Sequence, residues 1–314
     1  QAYLSEGFSK AEKPQMTFAD NIRQNRIEVL KNIDNSSLEP KNKEFLKGII
    51  LADRTEMDEE TISNFTKTGL VHILAISGSH MAIIFWMILL VLKPIFTVKQ
   101  RNTPIVISLI AIWTFAIFID FGSSVVRSCL MITMYYLMVF LKRKPDFLHA
   151  MALSALVILV LDAQQLFDVG FQLSYLAVLG IYWLNPVILQ VIPTPKNTVQ
   201  KFLMNVFSMS VAAQVATLPL VLYYFHQFSL LSVVINLVVI PFAEIIIIFS
   251  FIATLLLAFN IQISGIMKLY DFAASAFLKI VDGFAWFDFG FIKGIGISVP
   301  EVIVLFILIY RIRL

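Results

Sequence analysis

The sequence is poor in charge for its length. Only 14% of its 314 residues are charged, whereas 59% are hydrophobic; a soluble domain of this size carries roughly 25% charged residues. The few charges are unevenly distributed, because about half of them precede Gly69. The composition therefore excludes an ordinary soluble enzyme. It divides the chain into a polar region, residues 1–68, and an integral membrane part, residues 69–314.

Features that mark several protein classes are also missing. Cys129 is the only cysteine, which excludes an internal disulfide. No phosphate-binding loop motif is present, so an ATP-driven motor must be a separate protein. The net charge of +3 is too small to indicate nucleic-acid binding by itself. No internal repeat is evident, which weakens the hypothesis of a transporter built from inverted repeats.

Residues 1–68 carry no basic segment followed by an apolar leader and a small-residue cleavage site. They are therefore not predicted to be a signal peptide, and we expect the chain to be a piece of a longer protein. The region is instead predicted to form three short helices. Apolar residues recur on one face of 17–34, Pro40 begins a second helix, and Asp58 can cap a third. Because their apolar stripes are thin, we expect these helices to lie against the membrane part.

Apolar runs after Gly69 predict an all-α, polytopic bundle of about seven or eight membrane spans. A spanning helix needs about 20 residues, so the run 229–259 is long enough to be interrupted. Pro241 lies within it and predicts a broken helix. The predicted spans are 70–92, 104–119, 123–141, 147–161, 165–191, 202–225 and 229–259, with 298–313 as a possible last span.

The stretch 270–287 has a pattern unlike that of the spans. One helical face carries Asp271, Ser275, Lys279 and Asp282. Another face carries Phe272, Ala276, Ile280 and Phe284. This arrangement predicts an amphipathic helix that lies near a membrane interface with its polar face in water. A spanning helix packed within the bundle is the alternative.

Lysine and arginine occur in alternate loops of the predicted bundle. The basic loops are 93–103, 142–146 and 193–201, and the loops between them contain neither residue type. Loops rich in lysine and arginine remain cytoplasmic. We therefore expect a multi-pass membrane protein whose region 1–68 is extracytoplasmic. The side of the C-terminus stays open, since it depends on whether 270–287 crosses the membrane.

The segment GLVHILAISGSHMAIIFW, residues 69–86, combines apolar character with polar side chains. Its candidate functional residues are His72, Ser77, Gly78 and His80. A metal site is poor, because the two histidines are eight residues apart and no nearby carboxylate completes a ligand set. Three interpretations remain: a serine nucleophile at Ser77, a polar pathway lined by these side chains, or a motif that packs helices together.

Further polar residues are distributed over the predicted spans. They are Arg127, Gln172, Ser174, Gln214, Asn236 and Glu244. A buried arginine or glutamate that faces lipid costs several kcal/mol, so we expect Arg127 and Glu244 to face the bundle interior. Pairing of these two with each other is the alternative. The wide distribution indicates a lined conduit rather than a compact active site, and we expect no catalytic residue, metal site or cofactor.

Five sequence blocks, in order, resemble the ComEC competence proteins. The run GLVHILAISGSHMAII is similar to the signature of that family, which is close to G-L-x-H-L-L-A-I-S-G-x-H. The other blocks are GIILADR at 48–54, VVRSCLM at 125–131, LFDVGFQLSYLAVLGI at 166–181 and QVATLPLVLYYFHQFSLLSVVINLVVIPF at 214–242. The resemblance covers about residues 40–290. Ser79 and Cys129 depart from it, because the family usually has a larger apolar residue and an alanine there.

The resemblance implies a channel that passes single-stranded DNA through the bacterial cytoplasmic membrane during natural transformation. It implies as partners single-stranded DNA, the lipid bilayer, a DNA receptor and an ATP-driven motor of the uptake machinery. Members of the family often add an OB-like domain and a metallo-β-lactamase-like domain, and the H-x-H-x-D-H metal motif of the latter does not occur in this sequence. The residues alone leave three alternatives: a secondary transporter of a small polar solute, an intramembrane serine hydrolase, and a scaffold for other proteins.

Overall fold

A computed structural model describes residues 18–97, 100–287 and 290–312, and the chain is predominantly helical there, as predicted. The α-helices are α1 Phe18–Asp34, α2 Pro40–Leu51, α3 Glu59–Lys67, α4 Val71–Leu74, α5 Gly78–Leu92, α6 Thr103–Phe118, α7 Ser123–Phe140, α8 Phe147–Leu161, α9 Val169–Val191, α10 Thr198–Phe225, α11 Ser232–Ala258, α12 Ser264–Ala285 and α13 Val299–Ile312. A 3-10 helix, Ala163–Phe167, precedes α9, and two short strands are β1 Gln227–Ser229 and β2 Phe291–Lys293. Parts of the predictions for 17–34, for the loop 93–103 and for 298–313 lie outside the described residues.

The predicted N-terminal helices α1, α2 and α3 form, and their starts follow local rules. Pro40 occupies the first turn of α2, where its missing N–H leaves no helical hydrogen bond unmade. At the start of α3, the Asp58 carboxylate accepts the backbone N–H of Thr61. Burial by itself raises the pKa of Asp58, but the backbone and side-chain hydrogen bonds from Thr61 and the charge of Lys41 together hold the pKa below its ordinary value.

Two apolar clusters organise the described helices. The first joins α1–α4 to α11 and α12, and its aromatic centre is formed by Phe45, Phe65 and Phe277, with ring centroids 5.7–6.4 Å apart. The second joins α5, α6 and α7. Phe115 on α6 contacts Phe251 on α11 at a centroid distance of 5.9 Å and so connects the two. The polar N-terminal helices therefore pack on the apolar part, as their thin stripes predict.

Helices α9 and α10 approach each other closely at a glycine. A Cβ at Gly180 would lie 2.3 Å from the Cβ of Ala216 and 2.9 Å from the carbonyl oxygen of Ala212. Only a residue without a side chain fits there, which is the usual means by which apolar helices pack tightly in a membrane.

Within the described residues, four helices are long and apolar enough to cross a membrane, judged by length and composition, namely α7, α9, α10 and α11. Helices α5, α6 and α8 are apolar but shorter. The prediction that α11 is broken at Pro241 is wrong, because the helix continues through this residue. A proline removes one hydrogen bond from a helix, and the burial of Val239 and Ala243 on either side stabilises the local helical backbone.

The predicted span 70–92 is not one continuous helix. The chain forms the short helix α4, leaves the helical conformation at Ala75–Ser77 and begins α5 at Gly78. The Gly78-Ser79 pair predicts a weak point at which a helix can kink, whereas the irregular residues lie just before it. The backbone of Ser77 is extended, and its N–H is satisfied by the His80 ring rather than by a preceding helical turn.

Helix α12 has the predicted amphipathic pattern, but the environment of its polar face differs from the prediction. The Asp271 carboxylate accepts a hydrogen bond from Asn42 Nδ2, and the Asp282 carboxylate accepts one from Asn64 Nδ2, both at 2.9 Å. The face expected to lie in water therefore contacts α2 and α3, because their asparagines supply donors for its carboxylates. The exposed residue Phe272 lies off this contact face.

Strands β1 and β2 form an antiparallel pair that sequence analysis did not predict. Gln227 pairs with Lys293, and Ser229 pairs with Phe291. Strands of three residues are too short to show an alternating pattern in the sequence. The pair brings the two ends of the α11–α12 hairpin to one place in the molecule.

Candidate functional site

Glycine contacts hold the segment 69–80 at both of its ends. Gly69 has a positive φ of 75°, and a Cβ there would lie 2.8 Å from the Cβ of Ser232 at the start of α11. A Cβ at Gly78 would lie 3.0 Å from Ser128 Oγ on α7. The segment therefore lies between α11 and α7, and close approach at both glycines fixes its path.

Ser77 and His80 interact at the start of α5. His80 Nδ1 lies 3.0 Å from Ser77 Oγ and 3.2 Å from the Ser77 backbone nitrogen, whose N–H it accepts. The His80 side chain is 1% exposed, and its Nε2 has no hydrogen-bond partner in the part of the chain that the structure describes. A catalytic base needs a group that orients its ring, whereas this histidine is placed by the helix start that it caps.

Arg127 on α7 is buried and incompletely paired. The residue is 5% exposed, and its Nη1 lies 3.6 Å from Asp168 Oδ1, which is too long for a hydrogen bond. Within the described residues, its Nε and Nη1 donate to no acceptor. A Cβ at Gly170 would lie 3.2 Å from Arg127 Nη2, so a larger residue there would crowd the guanidinium.

The starts of α5, α7 and α9 thus lie together, and we call their polar residues and glycines the helix-start cluster. Its members are Ser77, Gly78, His80, Arg127, Ser128, Asp168 and Gly170. Helix N-termini carry partial positive charge, and Arg127 adds a full charge. Asp168 is the anionic member and caps α9 by accepting the N–H of Phe171 at 2.7 Å. The arrangement can bind an anion or a hydrogen-bond acceptor.

Gln214 belongs to a second group of polar contacts, between α10 and the start of α11. Its Nε2 donates to the carbonyl oxygen of Ser229 at 3.2 Å and lies 2.7 Å from Ser232 Oγ. Ser229 Oγ donates in turn to the carbonyl oxygen of Lys67 at 3.1 Å. These bonds join α10, β1 and the end of α3, so the amide of Gln214 has a clear packing role.

Five predicted site residues lie outside both groups of contacts, and three of them are Gln172, Ser174 and Asn236. Gln172 Oε1 accepts a hydrogen bond from Tyr224 at 3.0 Å and so links α9 to α10. Ser174 Oγ donates to the carbonyl oxygen of Phe171, a bond within one helix. Asn236 Oδ1 is buried and has no hydrogen-bond partner among the residues that the structure describes.

The prediction that His72 faces the bundle interior stays a prediction. Its side chain is exposed in the absence of a membrane, and Nδ1 lies 3.1 Å from the carbonyl oxygen of Gly69. The irregular residues Ala75–Ser77 separate α4, which carries His72, from α5, which carries His80.

The prediction that Glu244 faces the bundle interior also stays a prediction. Glu244 is exposed, next to the exposed side chains of Phe242 and Ile245 on the same helix. Helix α11 buries its other side, which leaves residue 244 off the packed face. The carboxylate near Arg127 is Asp168, so the alternative of an Arg127–Glu244 pair is also not found.

Sequence analysis missed Asp168 and Gly170, because both were read only as parts of a loop and a span. A signal was present: an acidic residue three positions before Phe171 fits the start of a helix. Gly170, two residues after Asp168, fits a close approach between two helices. The neighbour in space, Arg127, lies on another helix and was not deducible from this local pattern.

Two cavities of about 200 and 220 Å³ lie away from the helix-start cluster. The first is lined by residues at the α9–α10 connection, among them Pro193 and Lys201. The second is apolar and lies between α9, α10 and α13, where Trp183 and Tyr310 have ring centroids 5.9 Å apart. Among the described residues, no group of three histidine, cysteine or acidic side chains could hold a metal ion.

Comparisons with known proteins identify the family of the chain. A family model described as "Competence protein" matches residues 49–314. The "ComE operon protein 3" of Bacillus subtilis (strain 168) is 28% identical over 208 residues, which cover 66% of this chain and 26% of that protein. No solved structure matches. The chain thus corresponds to about a quarter of its relative, the resemblance drawn from the five sequence blocks is confirmed, and the chain belongs to the competence protein family.

Proposed function

We propose that this chain is the membrane core of a channel that passes single-stranded DNA across the bacterial cytoplasmic membrane during natural transformation. The observation that carries the proposal is Arg127, a buried guanidinium with unused donors among apolar helices. A buried ionisable group in a membrane protein is costly and indicates a pathway or a binding site. Family membership supports a role in competence.

The helix-start cluster has the chemistry that a DNA strand requires. Phosphate oxygens need cationic or N–H donors, and Arg127 together with the start of α9 supplies both. The hydroxyl of Ser77 and the imidazole of His80 lie at the start of α5, the helix next to the one that carries Arg127. We infer that the segment 69–80 shapes the path, with the polar ends of α5, α7 and α9 facing the strand.

The charge distribution supports an orientation for this channel. With the basic loops 93–103, 142–146 and 193–201 in the cytoplasm, region 1–68 is extracytoplasmic. A DNA receptor then delivers the strand from outside, and an ATP-driven motor acts from the cytoplasmic side. The remaining three quarters of a longer relative leave room for OB-like and metallo-β-lactamase-like domains.

One observation favours a second candidate, an intramembrane serine hydrolase. The 3.0 Å distance between Ser77 Oγ and His80 Nδ1 is within reach for proton transfer. The hydrolase and the channel differ in which single substitutions abolish function.

The test is DNA uptake by cells that produce Ser77→Ala, Gly78→Leu or His80→Ala protein at normal membrane levels. Ser174→Ala is the matched control, because its hydroxyl bonds only within α9. The channel predicts that labelled DNA still binds outside each variant cell while entry into the cytoplasm falls. Full uptake in all three variants would assign the segment to helix packing. Loss in both Ser77→Ala and His80→Ala, with full uptake in Gly78→Leu, would favour the hydrolase.

A further inference from the structure

We propose that Arg127 and Asp168 form an exchange site for a phosphodiester anion. In the absence of a strand, Asp168 is the counter-ion of Arg127, and a phosphate of the passing strand displaces it. The proposal rests on the proposed function, since the strand supplies the phosphate. It identifies Asp168 as a competitor of the ligand rather than as a structural partner.

The two side chains of the ion pair differ in their exposure to solvent. The Arg127 side chain is 6% exposed, whereas that of Asp168 is 45% exposed. An anion that approaches from water therefore meets the pair on the side of the carboxylate. Nη1 and Oδ1 are 3.6 Å apart, longer than the roughly 2.7–2.9 Å of a charge-assisted hydrogen bond. The pair is loose, and the Nε and Nη1 donors are available to a better-placed acceptor.

Asp168 has an alternative partner when it releases Arg127. Its Oδ1 already accepts the backbone N–H of Phe171 at 2.7 Å, at the start of the 23-residue helix α9. Displacement therefore leaves the carboxylate hydrogen-bonded and close to the positive end of a helix. A counter-ion that keeps a hydrogen bond after it leaves the cation is displaced at a lower free-energy cost than one whose only partner is the cation.

Gly170 leaves the space that exchange requires. A Cβ at this position would lie 3.1 Å from Asp168 Oδ1 and 3.2 Å from Arg127 Nη2, and so would crowd both charged groups. The guanidinium binds two phosphate oxygens through parallel N–H donors, and such a fork needs an open approach. The neighbouring hydroxyl of Ser128 is engaged with the carbonyl oxygen of Ser124 and does not compete.

The test uses the purified chain in nanodiscs of zwitterionic lipid and a fluorescent thymidine oligonucleotide, titrated at several salt concentrations. The variants are Asp168→Asn, Arg127→Gln and the double variant. Asparagine also caps helices, so Asp168→Asn removes the charge and retains the start of α9. Asp162→Asn is the matched control, because Asp162 caps the adjacent 3-10 helix and bonds to Gln164 and Gln165 instead.

We expect Asp168→Asn to tighten oligonucleotide binding by up to about five-fold, the range of a partly exposed ion pair. Arg127→Gln should weaken binding and reduce the salt slope by about 0.7, the contribution of one phosphate contact on a single strand. In the Arg127→Gln background, Asp168→Asn should have no effect. Should Arg127→Gln fail to fold, Arg127→Lys retains the charge without the fork and should weaken binding with an unchanged salt slope.

Three results would overturn the proposal. The first is equal behaviour of Asp168→Asn and Asp162→Asn, with normal binding by the wild type; the channel function would survive this result. The second arises in nanodiscs with anionic lipid, if Arg127→Gln loses lipid binding but not oligonucleotide binding, which would assign the site to a headgroup phosphate. The third is a wild-type chain that does not bind the oligonucleotide, which would remove the proposed function as well.

Discussion

Two buried cations show how differently two regions of the molecule treat charge. Lys47 on α2 is 4% exposed and Arg127 on α7 is 5% exposed. The ammonium of Lys47 contacts the carboxylates of both Asp34 and Glu56, whereas Arg127 has one carboxylate at 3.6 Å and two nitrogens without acceptors in the described chain. Equal burial thus accompanies complete pairing in one region and incomplete pairing in the other.

The difference separates charge that stabilises the fold from charge that is available to a ligand. Burial by itself lowers the pKa of Lys47, but its hydrogen bonds to Asp34 and Glu56 outweigh burial and raise the pKa above its ordinary value. Proteins pair most of their buried polar groups. A buried cation that is left with free donors therefore marks the place where a partner from outside the chain is expected.

The largest expected effect is on stability, and it distinguishes the two cations directly. Lys47→Met leaves two neighbouring carboxylates without their cation and should lower the free energy of unfolding by about 2 kcal/mol, since both carboxylates are half exposed. Arg127→Met removes a charge with few partners and should change it by less than about 1 kcal/mol. Denaturant unfolding of both variants in detergent measures the difference. Equal losses would contradict the comparison.

A smaller effect is expected at the glycine that holds α5 against α7. Gly78→Ala places a Cβ 3.0 Å from Ser128 Oγ and should destabilise the chain by about 1 kcal/mol, the lower end of overpacking. Gly283→Ala is the matched control, because nothing lies within 4 Å of its Cβ position. The control should gain up to about 1 kcal/mol from helix propensity. If both substitutions change the stability in the same direction, the close approach at Gly78 does not constrain the helix-start cluster.

The next effect tests whether Ser77 is structural or reactive. Ser77→Ala removes the 3.0 Å contact with His80 Nδ1 and should cost about 0.5–1 kcal/mol, the net contribution of one hydrogen bond. Ser77→Thr keeps the hydroxyl and should retain most of the stability that Ser77→Ala loses. A fluorophosphonate probe should not label the wild type. Labelling that disappears in Ser77→Ala would place a nucleophile in the cluster and favour the hydrolase.

The smallest effect is the pH dependence that Lys47 imposes. A raised pKa in the folded state contributes stability that is fully present below the ordinary lysine pKa of about 10.4 and is lost as pH rises through the folded value. The wild type should therefore lose more of its free energy of unfolding than Lys47→Met does in this alkaline range. Unfolding curves at successive pH values measure it, and Arg127→Met should retain the wild-type slope. If Lys47→Met leaves the pH dependence of the free energy of unfolding unchanged, the attribution of that dependence to Lys47 is refuted.

Local sequence signals predicted most of the helices and few of their contacts. Pro40 and Asp58 mark helix starts because the interactions that begin a helix lie within four residues. The interruption before Gly78 was displaced in the prediction, since it depends on the His80 ring binding the Ser77 N–H. Pairing of β1 with β2 was missed because the strands are short and far apart in the chain.

The candidate site was predictable in its residue types and not in its geometry. Arg127 and the segment around Ser77 stand out because polar groups are rare in apolar runs. Which face of α11 is packed depends on α1, α2 and α5, so the exposed position of Glu244 could not be deduced from α11 alone. The partnership with Asp168 depends likewise on how α7 meets α9.

The pairing of β1 with β2 limits how many times the chain between the two strands can cross the membrane. Because the two strands touch, the chain between Ser229 and Phe291 must return to the side from which it departed, so α11 and α12 together make an even number of crossings. Helix α13 then runs along α10 to place Tyr310 beside Trp183, which lies about 21 Å along α9 from its start. On the topology proposed from the basic loops, α13 then carries Arg311 toward the side of those loops, whether or not α12 crosses.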